Sequence, residues 1–503
     1  MAFNLSNSEI SIREIRLKSV LSFTGDVKSL IEGTRKCSLK NCERCFSQNN
    51  TCLSVMVMDQ ISSIRNVTIV YHTPIGCSAF VPRWTALYSG LAAKIGKKWN
   101  TKYLCTNLTE GDTVFGAANK LRKTVQEAWD RYPSDAIFIC TGCVTGIIGE
   151  DIDAVADEFD KKLPVPVIPV HCEGIKSKVW ATGFDISDYV IMKYIVKPPK
   201  QKRKVINFKN FEESIRPYIT KIFNRFDAEP LFLYANSTIE ELSHMSESLA
   251  TVSSCGALSP YLGNALEQLY GVPYVKTING NGIEGFDTWL RDIARILHKE
   301  EIAEEIIQEE REKYLSKIEG FKKLFAGKTA VIAAGPGFTY EAVRVLGEIG
   351  ITVKAALSWH HDSKYDDQTI PDTLTHIEKT HPNLKLSIID LQNHELLNIL
   401  NREKPDLYIV RHPGTRPFVT KMGIPVVQLT DEYQMFGYEG LYNFARNIAD
   451  LFNNKSFTQG LKKHCSIPYT AWWLEQPSNK FVMWVRFRRS KCCEKTAKSK
   501  FKL

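Results

Sequence analysis

Short aliphatic and β-branched runs recur along this chain, and they alternate with stretches of helical periodicity. Val67–Tyr71, Ala136–Cys140 and Val165–His171 read as strands, with helices at Ala118–Tyr132 and Ile147–Phe159 between them. The alternation restarts after the Pro198-Pro199 punctuation: strands at Leu231–Ala235, Thr251–Ser254 and Val272–Thr277, helices at Thr238–Leu249, Pro260–Tyr270 and Gly285–His298. It restarts again after the charged helical stretch Glu300–Phe325, with strands at Thr352–Leu357, Leu384–Asp390, Leu407–Val410 and Val426–Gln428 and helices at Tyr340–Ile349 and Asn393–Arg402. Strands separated by helices are joined by crossovers, and crossovers make parallel sheets. The expected fold class is therefore α/β, with three Rossmann-like domains and ligand sites in the clefts where strand C-termini face one another.

The length, 503 residues, agrees with roughly three domains. The expected division is an N-terminal cysteine-containing extension at 1–50, α/β domains at 51–205, 206–325 and 326–455, and a C-terminal extension with a basic tail at 456–503. No apolar run approaches the ~20 residues of a membrane span, and the first residues lack the pattern of a secretory signal. Both point to the cytoplasm and to no membrane partner. In that compartment thirteen cysteines are metal ligands or free thiols rather than a disulfide framework. The net charge of +9 is concentrated in Lys197–Lys204 and in the tail from Arg486 to Lys502. No recognition fold accompanies either run, so no nucleic-acid partner is expected.

The residues with chemistry in them stand mostly at strand ends. Cys77 follows Val67–Tyr71 in the loop Thr73-Pro-Ile-Gly-Cys77. Cys143 follows Ala136–Cys140, bracketed by Gly142 and Gly146, and Cys52 lies just before the first strand. Soft thiolates brought to one point suit an iron–sulfur cluster or zinc, and the glycines allow backbone N–H groups close to cluster sulfides. Cys37, Cys42 and Cys45 form a further group, with Cys-x-x-Cys spacing at its end. It reads equally as a metal site or as an ordered loop with free thiols. Cys255 stands alone at a strand end of the second unit. By itself it reads as a structural thiol. In the third unit His360, His361 and Asp362 follow one strand, and Arg411, His412 and Arg416 follow another. The histidines suit proton donation, metal ligation or loop capping. The arginines suit an anionic ligand or an interface ion pair. The turn Gly335-Pro-Gly337 is only half of a nucleotide fingerprint, and no Walker A motif is present.

The order Cys52, Thr73-Pro-Ile-Gly-Cys77, Cys143-Val-Thr-Gly-Ile-Ile-Gly-Glu-Asp151 and Pro166-Val-Ile-Pro-Val-His-Cys-Glu-Gly174 resembles component 1 of nitrogenase, the D-type (α) subunit in particular. The resemblance runs from about Cys52 to Asn454 and also takes in Lys421–Pro425 and Phe436–Arg446. It implies three α/β domains. It also implies that Cys52, Cys77 and Cys143 are this chain's ligands to a P-cluster-like iron–sulfur cluster shared with a K-type (β) subunit in a heterotetramer. Cys255 matches the cysteine that anchors the family's second, iron–sulfur-based cofactor. Phe436 replaces the histidine that holds that cofactor's other end. The homocitrate-binding lysine falls within Arg411–Arg416, where the sequence differs.

The resemblance thus implies a catalytic-type subunit of a nitrogenase-like reductase rather than a dinitrogen-fixing one. An ATP-hydrolysing iron protein would supply electrons, and His360, His361 or His412 would supply protons beside Arg411. The electrons would go to a second metallocluster at Cys255 or to a bound substrate, with Arg416 among the cofactor-binding residues. The rival reading is a scaffold on which an iron–sulfur cofactor is assembled. A third is a plain α/β protein for a small anion or nucleotide.

Overall fold

The computed structural model describes residues 3–41, 52–210, 213–256, 258, 260–390, 395–429 and 435–477. Cys42, Cys45, Cys492, Cys493 and the basic tail lie outside the described residues. The strands are β1 (Phe23–Asp26), β2 (Val67–His72), β3 (Lys102–Cys105), β4 (Ala136–Thr141), β5 (Val167–Val170), β6 (Val205–Lys209), β7 (Glu229–Leu233), β8 (Ala250–Ser253), β9 (Thr329–Ala334), β10 (Thr352–Ser358), β11 (Lys385–Ile388), β12 (Leu407–Val410) and β13 (Val426–Gln428).

They form three sheets. The first has the order β3-β2-β4-β5, the second β7-β6-β8 and the third β1-β11-β10-β9-β12-β13. Every pairing is parallel except that of β1 with β11. The central strands are buried on both faces, which is why β2 and β4 read as nearly continuous apolar runs. The helices between them bury one stripe each: Leu121, Val125 and Ala128 in Ala118–Arg131, and Ala303, Ile306, Ile307, Tyr314 and Ile318 in the long helix Glu300–Leu324. The helix Pro336–Glu348 begins on Gly335, with Pro336 at the first position, where its missing N–H costs nothing.

Four expectations change. The helix expected over Thr238–Leu249 is a short helix, Ile239–Ser243, followed by a 3-10 turn at Met245–Glu247. Val272–Thr277 is not a strand but a single bridge between Thr251 and Tyr274. Thr251 donates to the Pro273 carbonyl at 2.8 Å, but a proline has no N–H to continue the ladder. The helix expected over Ile147–Phe159 is two helices, Cys143–Ile148 and Ile152–Asp160, divided at Gly149 in a left-handed conformation (φ 68°). The segment 1–50 was expected to be an irregular extension, yet within it β1 is the antiparallel edge of the third sheet and Val27–Arg35 is a helix. No helix among the described residues is long and apolar enough to cross a membrane.

Candidate metallocluster half-site and the cleft beyond it

Loops at the C-terminal ends of β2, β4 and β5 meet at one end of the first sheet. Cys77 is exposed, in a short 3-10 turn (Ile75–Phe80) after β2. Cys143 is the first residue of its helix after β4. It is half-buried, and Gly142 before it donates to the His72 carbonyl at 3.2 Å. A β-carbon on Gly142 would fall 2.2 Å from Thr73 Oγ1, so only glycine lets these two loops close. Cys52 immediately precedes the helix Leu53–Ser62 and is exposed. The thiols of Cys52 and Cys143 flank Gly174 in the loop after β5. A β-carbon there would lie 3.1 Å from Cys52 Sγ and 3.4 Å from Cys143 Sγ.

Behind this pair is a layer to which the sequence reading gave no role. Cys172 is buried and its thiol donates to the Thr141 carbonyl at 3.2 Å. Ser54 Oγ is 3.9 Å from that sulfur and 2.6 Å from the Tyr71 hydroxyl. Burial pushes the neighbouring Cys140 thiol well up, with Cys172 adding to it. His171 is raised to about 9. Burial opposes its charge, but hydrogen bonds to Asp153 (2.8 Å) and Glu173 outweigh that. Cys172 and Gly174 stand in the run Pro166–Gly174 that carries the resemblance, but nothing in that run singles out either residue for a role here. Among the described residues no three of His, Cys, Asp and Glu stand close enough to hold a single ion. Cys52 and Cys143 converging at Gly174, with Cys77 exposed on the loop of the adjacent strand β2, have the chemistry of one side of a multinuclear cluster, whose cysteines ligate different irons.

The second group of predicted residues is divided. Cys255 follows β8 and is buried against the start of helix Pro336–Glu348: a β-carbon on Gly337 would sit 2.4 Å from its sulfur. Gly256, Gly337, Tyr340, His361, Asp362 and Tyr365 enclose a cavity there of about 20 Å³. That is room for one water. A multi-iron cofactor does not fit at Cys255 in this arrangement. His361 is fully buried, its Nε2 2.9 Å from Thr34 Oγ1 and its Nδ1 3.3 Å from the Tyr340 hydroxyl. Burial lowers it to about 4.

His360 and His412 belong instead to an aromatic cluster. Trp180 meets both edge-on, at 5.9 and 5.5 Å, and Trp359 meets His412 at 5.5 Å. Burial, with Arg411 and His360 nearby, lowers His412 to about 3. Asp362 joins the two groups. Burial opposes its charge, but His360 at 3.4 Å and Arg13 at 3.0 Å hold it below the usual carboxylate range. Arg411 lies over the Phe338 ring at 4.8 Å and donates to the Leu429 carbonyl at 2.8 Å. Arg416 is exposed and donates to Gln428, so the structure does not bring it to the Cys255 cavity. Phe436 is buried among Trp289 (5.1 Å), Phe286 (6.2 Å) and Tyr218 (6.3 Å), its ring seated on Gly280.

Three α/β sheets, parallel but for the antiparallel edge β1, with thiols at the strand ends define the class. The chain belongs to the nitrogenase component 1 type oxidoreductase family, whose pattern it matches over residues 54–453. Among its relatives, it is similar to the nitrogenase molybdenum-iron protein alpha chain of Methanosarcina barkeri, 26% identical over 443 residues, covering 76% of this chain and 82% of that one. It is as similar to the nitrogenase iron-molybdenum cofactor biosynthesis protein NifE of Methanococcus maripaludis, 27% identical over 408 residues, covering 76% and 79%. The solved structure of nitrogenase Cp1 at pH 5 superposes with a TM-score of 0.67 at 22% identity, over 85% of this chain and 92% of that one, a likeness of fold.

Proposed function

We propose that this chain is the D-type subunit of a nitrogenase-like reductase, and that Cys52, Cys77 and Cys143 hold its share of an iron–sulfur cluster completed by a K-type partner subunit. The observation that carries this reading is the pairing of the Cys52 and Cys143 thiols at Gly174, with Cys77 exposed in the turn that follows the adjacent strand β2. An apolar skin surrounds them: Ile75, Phe80, Ile147 and Ile175 are all exposed. Large exposed apolar residues around one site mark a protein interface. A bound cluster would supply one-electron transfer at this face, fed by an ATP-hydrolysing iron protein. This chain's own residues position the thiols, and the Cys172–Ser54–Tyr71 layer closes the site from behind. No step is assigned to a second metallocluster at Cys255. Proton handling is assigned to His360, His361 and His412 with Arg411 beside them; the cavity at His361, about 20 Å³, has room for a water as proton carrier and not for a substrate.

The competing role is assembly scaffold. It is favoured by the equal similarity to the biosynthetic relative. One preparation separates the two. The chain is co-expressed anaerobically with its neighbouring genes, iron and sulfide are counted, and electron paramagnetic resonance is recorded. Reductive turnover with an iron protein and ATP supports the reductase. A cluster that transfers to an acceptor without turnover supports the scaffold. In either case Cys77→Ala and Cys143→Ala should remove the bridging cluster's signal, and full iron content in both variants would sink the ligand assignment.

A further inference from the structure

Residues 454–503 lie beyond the family match, and the reading above gives them no role. Their first part is a layer of two helices on the third unit. Ser456–His464 packs on the helix Arg416–Lys421, and Ala471–Leu474 packs on Leu396–Glu403. The two inner helices share one core on one face of the third sheet, with Tyr469 and Leu474 against it. The outer helices therefore cover the same side of the molecule.

This layer keeps its apolar side chains bare. Neither outer helix has a buried residue; Phe457 is 70% exposed and Trp472 57%. It is also basic. Lys462 and Lys463 close the first helix, and neither has a carboxylate partner among the described residues. Glu475 is the only acid between positions 455 and 477. From Pro477 the sequence repeats the combination: the apolar run Phe481-Val-Met-Trp-Val485, then Arg486-Phe-Arg-Arg489, then five lysines against a single acid, Glu494. Bare apolar residues rimmed by polar ones mark a surface that meets a partner or a membrane.

The combination selects the occupant. A nucleic acid offers its phosphates to the lysines and arginines but no apolar phase to Phe457, Val482, Met483 or Val485. A neutral apolar groove on a protein would receive the rings and leave the positive charge unmatched. The interface of an anionic bilayer takes both, with aromatic rings at headgroup level and basic groups at the phosphates. The lysines after Arg489 are unevenly spaced, which suits a surface charged everywhere rather than a fixed pocket.

We propose that the C-terminal helix layer, together with the basic segment that follows it, is a docking surface for an anionic phospholipid bilayer. Phe457 and Trp472 enter the headgroup region, and Lys462, Lys463, Arg486, Arg488 and Arg489 meet lipid phosphates. The apolar run is far shorter than the ~20 residues of a span, so the contact is peripheral. The expectation of no membrane partner rested on spans and signals, which a peripheral contact does not need. The surface belongs to the third unit and the thiol loops to the first, so the proposal does not depend on the electron-transfer reading.

The test uses the full chain in its native complex, with iron counted on the same sample. The complex is sedimented with vesicles of phosphatidylcholine alone and of phosphatidylcholine mixed with phosphatidylglycerol, over a salt series. Binding should be at least about tenfold stronger to the anionic vesicles and should weaken as salt rises. Phe457→Ser combined with Trp472→Ser should weaken it at least about tenfold, with iron content and subunit assembly unchanged. Arg486→Glu combined with Arg488→Glu should abolish the preference for anionic vesicles. The proposal is overturned if the complex stays in the supernatant with both kinds of vesicle, or if it binds both equally. It is also overturned if the Phe457→Ser and Trp472→Ser variant binds as the wild type does. A short DNA duplex bound more tightly than the anionic vesicles would overturn it too, and would make the partner a nucleic acid.

Discussion

At the scale of single residues, Gly174 tests the thiol arrangement without touching a thiol. In a ligand-free chain, contacts of 3.1 Å to Cys52 and 3.4 Å to Cys143 yield if the side chains shift by a few tenths of an ångström. Sulfurs bonded to iron have no such freedom. Gly174→Ala should therefore leave the chain folded but at least halve its cluster iron, read by iron counting beside a melting curve. An unaltered iron content would mean that the two sulfurs do not meet a cluster beside Gly174. His361 gives a prediction in pH. It is neutral and buried in the fold, lowered to about 4, while an unfolded histidine titrates near 6.5. The unfolded chain therefore binds more protons between those values. The contribution to stability is full above about 6.5 and is lost as pH falls toward 4, by roughly 3 kcal/mol. Melting curves at neutral pH and near pH 5 should show a smaller acid loss in His361→Gln than in the wild type. An equal loss in both would place the acid sensitivity elsewhere.

At the scale of elements, the N-terminal segment fastens the first unit to the third. Arg13 ties Asp185 of the helix Thr182–Tyr194 to Asp362, just beyond β10. Val20 and His361 exchange both backbone hydrogen bonds at 2.9 Å, and β1 pairs along β11. Removing one partner from a buried ion network costs about 3–5 kcal/mol, because the others stay buried. Arg13→Ala should accordingly raise amide exchange in β1 far more than in β9, since the edge can detach without global unfolding. Equal protection of β1 in both proteins would show that the strap is held by other contacts. Little of this segment was legible beforehand. Strands β2, β4 and β12 were, because both faces are buried and the sequence is apolar throughout. β1 (Phe-Thr-Gly-Asp) and β3 (Lys-Tyr-Leu-Cys) are short, partly exposed edges with no apolar run to betray them. β6 was hidden behind a basic run and ends in Lys209, whose burial makes sense only once Asp188 is seen paired with it. In the same way the order of Cys52, Cys77 and Cys143 was plain. The Cys172 layer, and Gly174 between two thiols, arise from three loops meeting and have no local signature.

At the scale of the molecule, the face that carries the thiols also exposes large apolar side chains. Phe115 is 90% exposed, Val114 73% and Ile147 71%. The helix Glu110–Phe115 packs on Cys143–Ile148, so these side chains form one surface with the half-site. Contiguous aromatic and aliphatic side chains this bare mark a surface that a partner covers. Other exposed apolar residues, such as Phe457 and Trp472, belong to the C-terminal helices, which are tied to the third unit through Asn398, Asn401 and Arg402. The two surfaces give opposite expectations. Phe115→Asp and Ile147→Asp each place a charge where a partner must be desolvated, which costs several kcal/mol unless it is matched. Phe457→Asp places one in solvent. Size exclusion with light scattering on the co-expressed complex should therefore show the first two variants dissociating, or failing to couple to the iron protein, with unchanged melting of the isolated chain. Phe457→Asp should assemble as the wild type does. If Phe457→Asp alone dissociates the complex, the interface lies at the third unit and the exposed thiols face solvent, and Cys52, Cys77 and Cys143 would have no partner with which to share a cluster.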